Sequence, residues 1–318
     1  MRGAEIANPW SCALFLTGPT ASGKSEVALK LAEELGGEII SVDSMQVYRG
    51  LDIGTAKPSL EERARVQHHL IDILDLNQRF DAAQFVRLAT AAIKEIHSRA
   101  RVAILCGGTG LYFKALIGGI GTAPAANDEL RAELEAKPLD DLLGELAERD
   151  PLTFERIDRK NPRRIIRAVE AIRLTGMPFS ELRSDWERDK TPGVNSLPPL
   201  FVLRRQTADL RQRIDARVEQ MFQRGLVRET EELLARGLAE NKTAMQALGY
   251  RQVVEHLRGT YALVETVELV KIRTRQFAKR QMTWFRRQSN ARWVELAPDE
   301  QNESVVKKLM ELYRQSVR

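Results

Sequence analysis

The chain has 318 residues, 43% of them apolar, 6% aromatic and 29% charged, with a formal net charge of +5. That length suits one large domain or two modest ones with a sizeable core. No uncharged apolar run of about 18 residues predicts a membrane span, and Met1 to Trp10, with Arg2 and Glu5, lacks the apolar stretch of a secretory signal.

The two cysteines, Cys12 and Cys106, have neither CxxC spacing nor a histidine cluster nearby. This argues against a disulfide framework or a zinc site, and it predicts small, buried apolar roles for both thiols in a reducing cytoplasm. The net charge hides an asymmetry. Residues 1–160 hold 19 Lys/Arg against 24 Asp/Glu, whereas residues 161–318 hold 30 against 20. Two readings stay open on composition alone: solvated Arg-rich helices, or a C-terminal half that meets a polyanion.

Along the chain, Ala13 to Thr17 reads as a buried strand and Lys24 to Leu35 as a helix. Glu38 to Val42 reads as a second strand, His69 to Leu74 as a third and Val102 to Cys106 as a fourth. Between the last two, Phe85, Leu88, Ala92, Ile93 and Ile96 line one face of a helix over Ala82 to Arg99. Strands alternating with helices predict a parallel sheet covered on both sides. After Gly121 the pattern turns helical and charged to about Arg188, punctuated by Pro138, Pro151, Pro162 and Pro178, with a loop over Pro192 to Pro199. Leu200 to Leu203 then returns as a strand. Residues 207–289 are helical with breaks near Gly225, Gly237, Gly249 and Gly259, and a short run at Trp293 to Leu296 precedes a last helix. The expected organisation is an α/β core over residues 1–121, a helical insertion over 122–197, and a return to the core over 198–318 that is helical and basic.

Gly18-Pro19-Thr20-Ala21-Ser22-Gly23-Lys24-Ser25 matches GxxxxGK[ST] between a predicted strand and helix, the context that gives the motif meaning. Its glycines let successive backbone N–H groups turn toward a phosphate, and the following helix adds its positive end. Lys24 supplies a point charge, and the Ser25 hydroxyl suits Mg²⁺. ATP is the commonest ligand of such a loop, but any pyrophosphate satisfies the same groups. The fold class expected is α/β, a P-loop NTPase-like parallel sheet flanked by helices.

Asp43 follows a predicted strand, and ligands of open parallel sheets gather at strand carboxyl ends. It is a candidate to hold Mg²⁺ through water or to accept a proton, with a simple turn role as the alternative. Ser44 to Pro58 reads as a long functional loop on the same edge, and Cys106 to Tyr112, with three glycines, leaves the fourth strand where a ligand could approach.

Taken in order, these segments resemble one family. Gly18 to Ser25, Ser41-Val42-Asp43-Ser44 with Gln46, Tyr48-Arg49-Gly50, Asp52 to Pro58, Gly107 to Tyr112, Gln246 to Arg251 and Thr274 to Arg286 are similar to the tRNA dimethylallyltransferases of bacterial type. The resemblance spans about residues 13–290. It implies transfer of a dimethylallyl group from dimethylallyl diphosphate to N6 of the adenosine immediately 3′ of the anticodon, with pyrophosphate released and Mg²⁺ as the cofactor.

Carried over by motif position, Gly18, Pro19, Thr20, Ala21, Ser22, Gly23, Lys24 and Ser25 hold the diphosphate. Asp43 is the general base, and Arg217 lies near the leaving group. Ser44, Met45 and Gln46 hold the flipped adenine, and Thr109 lies beside the tRNA. Arg131 matches a tRNA contact. Arg163, Arg164, Ile165, Ile166 and Arg167 would meet the anticodon loop, as would Gln246, Ala247, Leu248, Gly249, Tyr250 and Arg251. Lys279, Arg280, Gln281, Met282, Thr283, Trp284, Phe285 and Arg286 complete that surface. Lys271, Arg275 and Lys279 recur every four residues and predict a basic helix face for phosphate contact, while Trp284 and Phe285 read as core more than as stacking platforms. A monomer is expected.

Three rivals remain on sequence: a P-loop kinase of small molecules, an adenylate isopentenyltransferase acting on free nucleotides, and an RNA-binding module gated by a nucleotide. The basic C-terminal third speaks against the first two.

Overall fold

The computed structural model describes residues 13–182 and 198–317. Cys12 lies outside the described residues, as do the end of the helical stretch expected to reach Arg188 and most of the loop expected over Pro192 to Pro199.

One unit, residues 1–117 and 195–318, is built on a six-stranded sheet in which every pairing is parallel. The strands are β1 (Ala13–Thr17), β2 (Glu38–Val42), β3 (His68–His69), β4 (Ala103–Gly107), β5 (Leu200–Arg205) and β6 (Ala291–Leu296), in the spatial order β3-β2-β4-β1-β5-β6. Alternation along β1 sends Ala13 and Phe15 into one core and Leu14 and Leu16 into the other. The second of these cores is closed by α1 (Lys24–Leu35) and by the last helix, through Val27, Leu31, Val305 and Leu309. The first is closed in part by α3 (Ala82–Ser98), which follows the short α2 (Leu60–Arg65), and by α4 (Gly110–Gly118).

A second unit, residues 118–194, carries α5 (Asp128–Glu135), α6 (Leu139–Arg149), α7 (Pro151–Arg156), α8 (Pro162–Thr175) and α9 (Phe179–Leu182). It has a core of its own around Leu134, Leu142, Leu146, Ile165, Val169 and Ile172. After β5 the first unit continues with α10 (Thr207–Gln223), α11 (Leu226–Ala235), α12 (Tyr250–Leu257) and α13 (Leu263–Phe285), and α14 (Asn302–Val317) ends the described chain.

Two expectations need correction. The third strand is two residues long, because Leu70 and Asp72 take positive φ values of 62° and 54°, which no strand accommodates. Beyond that strand the amides of Asp72, Ile73 and Leu74 bond to the carbonyls of Gln46 and Val47, and Leu74 forms an isolated parallel bridge to Tyr48. The fourth strand runs one residue later than read. The α2 helix was not anticipated, although Ser59 and Glu62 form the reciprocal capping box that signals a helix start.

Candidate active site

Three loops leave the sheet side by side. Thr17 pairs with Gly107, and Gly107 pairs with Val42, so the residues that follow (Gly18, Gly108 and Asp43) emerge on one edge. The strands approach so closely here that a Cβ on Gly107 would stand 2.1 Å from the Val42 carbonyl oxygen, which is why no larger residue fits. The loops line a cavity of about 410 Å³ together with residues of α10, the turn before α12, and α13.

The phosphate-type loop turns into α1 at Gly23, whose φ of 92° suits glycine, and Lys24 opens the helix. The Lys24 ammonium donates to the Pro19 carbonyl at 3.3 Å. Burial lowers its pKa; the neighbouring Arg217 acts in the same direction, and Asp43 opposes it. Burial likewise lowers the pKa of Arg217 against the pull of Asp43 and Glu26. Two cations held in a place that disfavours their charge await an anion. The Ser22 hydroxyl is buried within this loop with no hydrogen-bond partner among the described residues.

Asp43 Oδ1 accepts from the amides of Met45 at 2.8 Å and Gln46 at 3.4 Å, which fixes the carboxylate. The Gln46 amide is held at both ends, accepting from Ser41 Oγ at 2.8 Å and donating to the Thr55 carbonyl at 3.3 Å. Thr109 Oγ1 accepts from the Ser44 amide at 3.3 Å. The long loop after Asp43 is anchored by the buried Lys57 ammonium, which donates to the Tyr48 carbonyl and to the carboxylates of Asp52 and Asp72.

Four side chains that sequence reasoning did not place at the loops turn out to build them. A loop that turns its amides inward leaves carbonyls pointing outward, and these need donors. Arg205 Nε donates to the Ser22 carbonyl at 2.9 Å, and Arg213 Nε donates to that of Ala21 at 3.1 Å. Gln281, read as an RNA contact, instead joins two loops: its Oε1 accepts from the Thr20 amide at 2.9 Å and its Nε2 donates to the Gly108 carbonyl at 3.0 Å. Glu229 accepts from the Ile53 amide and from the Tyr250 hydroxyl, steadying the long loop. Only the helical spacing of Arg213 and Arg217 hinted at any of this.

Other expected RNA contacts need correction at residue level. Ile165 and Ile166 lie in the core of the helical unit, and Tyr250 and Phe285 lie in the main core, so these side chains are not available to a partner. Gly249 is buried as well, at the start of α12, and Ala247 is nearly so. The Arg131 guanidinium is bonded at 2.6 Å to the fully buried Glu170, which Arg167 also reaches at 2.9 Å. The expected basic face of α13 is mostly spent internally: Lys271 pairs with Glu219 and Glu268, and Arg275 with Asp215. Lys279, Arg280, Thr283 and Arg286 are exposed, as are Arg163, Arg164, Gln246 and Arg251. Arg280, Gln246 and Leu248 line the cavity. Trp284 is half-buried edge-on against Phe285, Met282 is partly buried beside the same core, and Ser25 is exposed at the cavity mouth.

A parallel sheet with a phosphate-type loop, an acid and two half-buried cations at its carboxyl edge defines a P-loop fold. Comparison with known proteins narrows the class. The family model described as IPP transferase matches residues 46–288. The "tRNA dimethylallyltransferase 1" of Citrifermentans bemidjiense is 46% identical over 282 residues, covering 89% of this chain and 91% of that one. Among solved structures, the full-length tRNA isopentenylpyrophosphate transferase of Bacillus halodurans is 38% identical, with a TM-score of 0.68 over 96% of this chain and 95% of that one. A eukaryotic dimethylallyltransferase acting on tRNA is 26% identical, with a TM-score of 0.73 over 89% of this chain and 73% of that one. The chain belongs to the IPP transferase family, the tRNA dimethylallyltransferases.

Proposed function

We propose that this enzyme transfers the dimethylallyl group of dimethylallyl diphosphate to N6 of the adenosine immediately 3′ of the anticodon in tRNA, acting as a monomer in the cytoplasm. The observation that carries the reading is the single cavity that gathers Lys24, Ser25, Asp43 and Arg217 around the phosphate-type loop. An aromatic amine is a weak nucleophile, so the barrier falls chiefly by stabilising the departing pyrophosphate. Lys24, Arg217 and the loop amides of Gly23, Lys24 and Ser25, where the phosphate-type loop runs into α1, do this. The allylic C–O bond breaks as the C–N6 bond forms, and the N6 proton passes to Asp43. Its Oδ1 is occupied by loop amides, and its other oxygen accepts no hydrogen bond from the described residues.

The adenine must leave its stack to reach this point, at a cost of a few kcal/mol. Ser44, Met45 and the doubly tethered Gln46 receive it, with Thr109 alongside.

The chemistry of the donors fits Mg²⁺. Ser25 and Asp43 offer hard oxygens, and no group of three or more His, Cys, Asp or Glu suited to a metal occurs among the described residues. An ion that takes one or two protein oxygens and completes its shell with phosphate and water suits that set. When bound, Mg²⁺ would neutralise charge on the leaving diphosphate, with Ser25 as its protein ligand.

The test is incubation of purified enzyme with labelled dimethylallyl diphosphate and, separately, anticodon stem-loop RNA or AMP. Label on RNA alone is expected, and transfer to AMP would overturn the reading. With Asp43→Ala, RNA affinity stays within a few-fold while turnover drops at least ~10²-fold, the scale of a general base. Wild-type turnover would remove Asp43 from the mechanism.

A further inference from the structure

Two antiparallel helices form a graded wall of the cavity. Asp215 of α10 pairs with Arg275 of α13, and Glu219 pairs with Lys271, so advancing along one helix means retreating along the other. At the level of the phosphate-type loop, Ala21 packs on Ile214 and Ala278, Arg213 holds the Ala21 carbonyl, and Gln281 holds the Thr20 amide. One turn on, at about 6 Å by the helical rise, comes Arg217, with Thr274 opposite. A further turn brings Met221, with Val270 opposite. Arg217, Met221, Thr274 and Val270 all line the same cavity.

The side chains that α10 and α13 present at the far level are apolar. Val218 and Val270 are 1% exposed and Met221 is 7% exposed. The Thr274 hydroxyl is spent on the Val270 carbonyl at 2.7 Å. The nearly buried Ala247 closes the same cavity from the turn before α12. A chamber that is cationic at one end and bounded by hydrocarbon and thioether about a turn beyond its inner cation has the layout of an allylic diphosphate with a short chain.

We propose that Met221, facing Val270, closes the prenyl end of the cavity and sets the five-carbon limit on the donor. This rests on the reading of the site as a dimethylallyl diphosphate site. Each donor reacts in the same way, with its allylic C–O bond breaking, its C–N6 bond forming, the proton going to Asp43 and pyrophosphate leaving. Only the room beyond the branch differs. In a filled apolar pocket one added methylene changes selectivity by roughly 10- to 200-fold.

The experiment measures kcat/KM on anticodon stem-loop RNA for dimethylallyl diphosphate, for its homologue with one extra methylene on the terminal branch, and for geranyl diphosphate. Wild type is expected to disfavour the homologue by at least ~10-fold, and Met221→Ala to narrow that ratio by ~10-fold or more. Should Met221→Ala not fold, Val270→Ala opens the same end from the facing helix and narrows the ratio in the same direction. Leu309→Ala, in the core on the other face of the sheet, loosens the protein without touching the cavity and keeps the wild-type ratio. An unchanged ratio in the folded cavity variant overturns the proposal, as does a relaxed ratio in Leu309→Ala. If wild type fails to prenylate RNA with dimethylallyl diphosphate, the functional reading itself falls, which the ratio experiment reports separately.

Discussion

Replacing Gln281 with leucine discriminates between two roles for one residue. The motif match makes Gln281 part of an RNA-facing segment, whereas in the structure it is 7% exposed and joins the Thr20 amide to the Gly108 carbonyl. Leucine is similar in size, so little cavity cost is added. What remains is one buried donor and one buried acceptor without partners, at about 1–3 kcal/mol each. At the low end the two together amount to about 2 kcal/mol, or roughly 30-fold in affinity if relieved by displacement of the loop. The assay is calorimetric titration of pyrophosphate into Gln281→Leu with no RNA present, beside a titration of stem-loop RNA. A loss near 30-fold for pyrophosphate is expected. Gln281→Glu should do worse, since its carboxylate keeps the acceptor for Thr20 but opposes both the Gly108 carbonyl and the incoming anion. Wild-type pyrophosphate affinity combined with weakened RNA binding would return Gln281 to the RNA surface.

The exposed Lys279 should behave as a phosphate contact, so Lys279→Ala lowers the slope of log affinity against log salt by about 1, while Lys271→Ala, whose charge is spent on Glu219 and Glu268, leaves the slope alone. Equal slopes for all three proteins would remove α13 from the RNA surface. Glu170→Ala strands two arginines around a buried position and should destabilise the helical unit by about 3–5 kcal/mol in urea unfolding; a loss under about 1 kcal/mol would deny Glu170 that role. Burial pushes the Cys106 thiol up to about 11, so in a Cys12→Ser background an alkylating reagent at about pH 8 labels it slowly. Rapid modification would show that the thiol is not held as placed.

The parts of the fold that could be read from sequence are those where local pattern and tertiary role agree. Ala13 to Thr17 and Glu38 to Val42 are rich in apolar residues and buried throughout because both faces of a parallel sheet are covered, and both ran to their expected ends. His69 to Leu74 looked similar, but its apolar residues serve an irregular segment with left-handed φ at Leu70 and Asp72, a constraint that periodicity does not encode. At the site, the phosphate-type loop and Asp43 were legible because glycines and acids at strand ends carry a local signature. Their supports were not. Arg205, Arg213, Gln281 and Glu229 lie 173 or more residues from the backbone groups they hold, and no local pattern tells which groups those are.

The basic C-terminal half shows how far composition can carry a functional argument. Its surplus of Lys and Arg suggested a polyanion partner, yet several of those charges never face one. Arg205 and Arg213 hold carbonyls of the phosphate-type loop, Lys271 and Arg275 bind carboxylates of α10, and Arg167 turns to Glu170. A guanidinium suits the first task because a loop that offers its amides to an anion must have its carbonyls held by groups that will not compete for the same ligand, and a cation helps rather than hinders. The cations therefore divide into a few that shape the diphosphate grip, a few spent on carboxylates, and an exposed set, including Arg163, Arg164, Lys279, Arg280 and Arg286, on which the proposed contact with tRNA rests. Salt dependence should accordingly track this exposed set and fall well short of the formal charge of the half-chain.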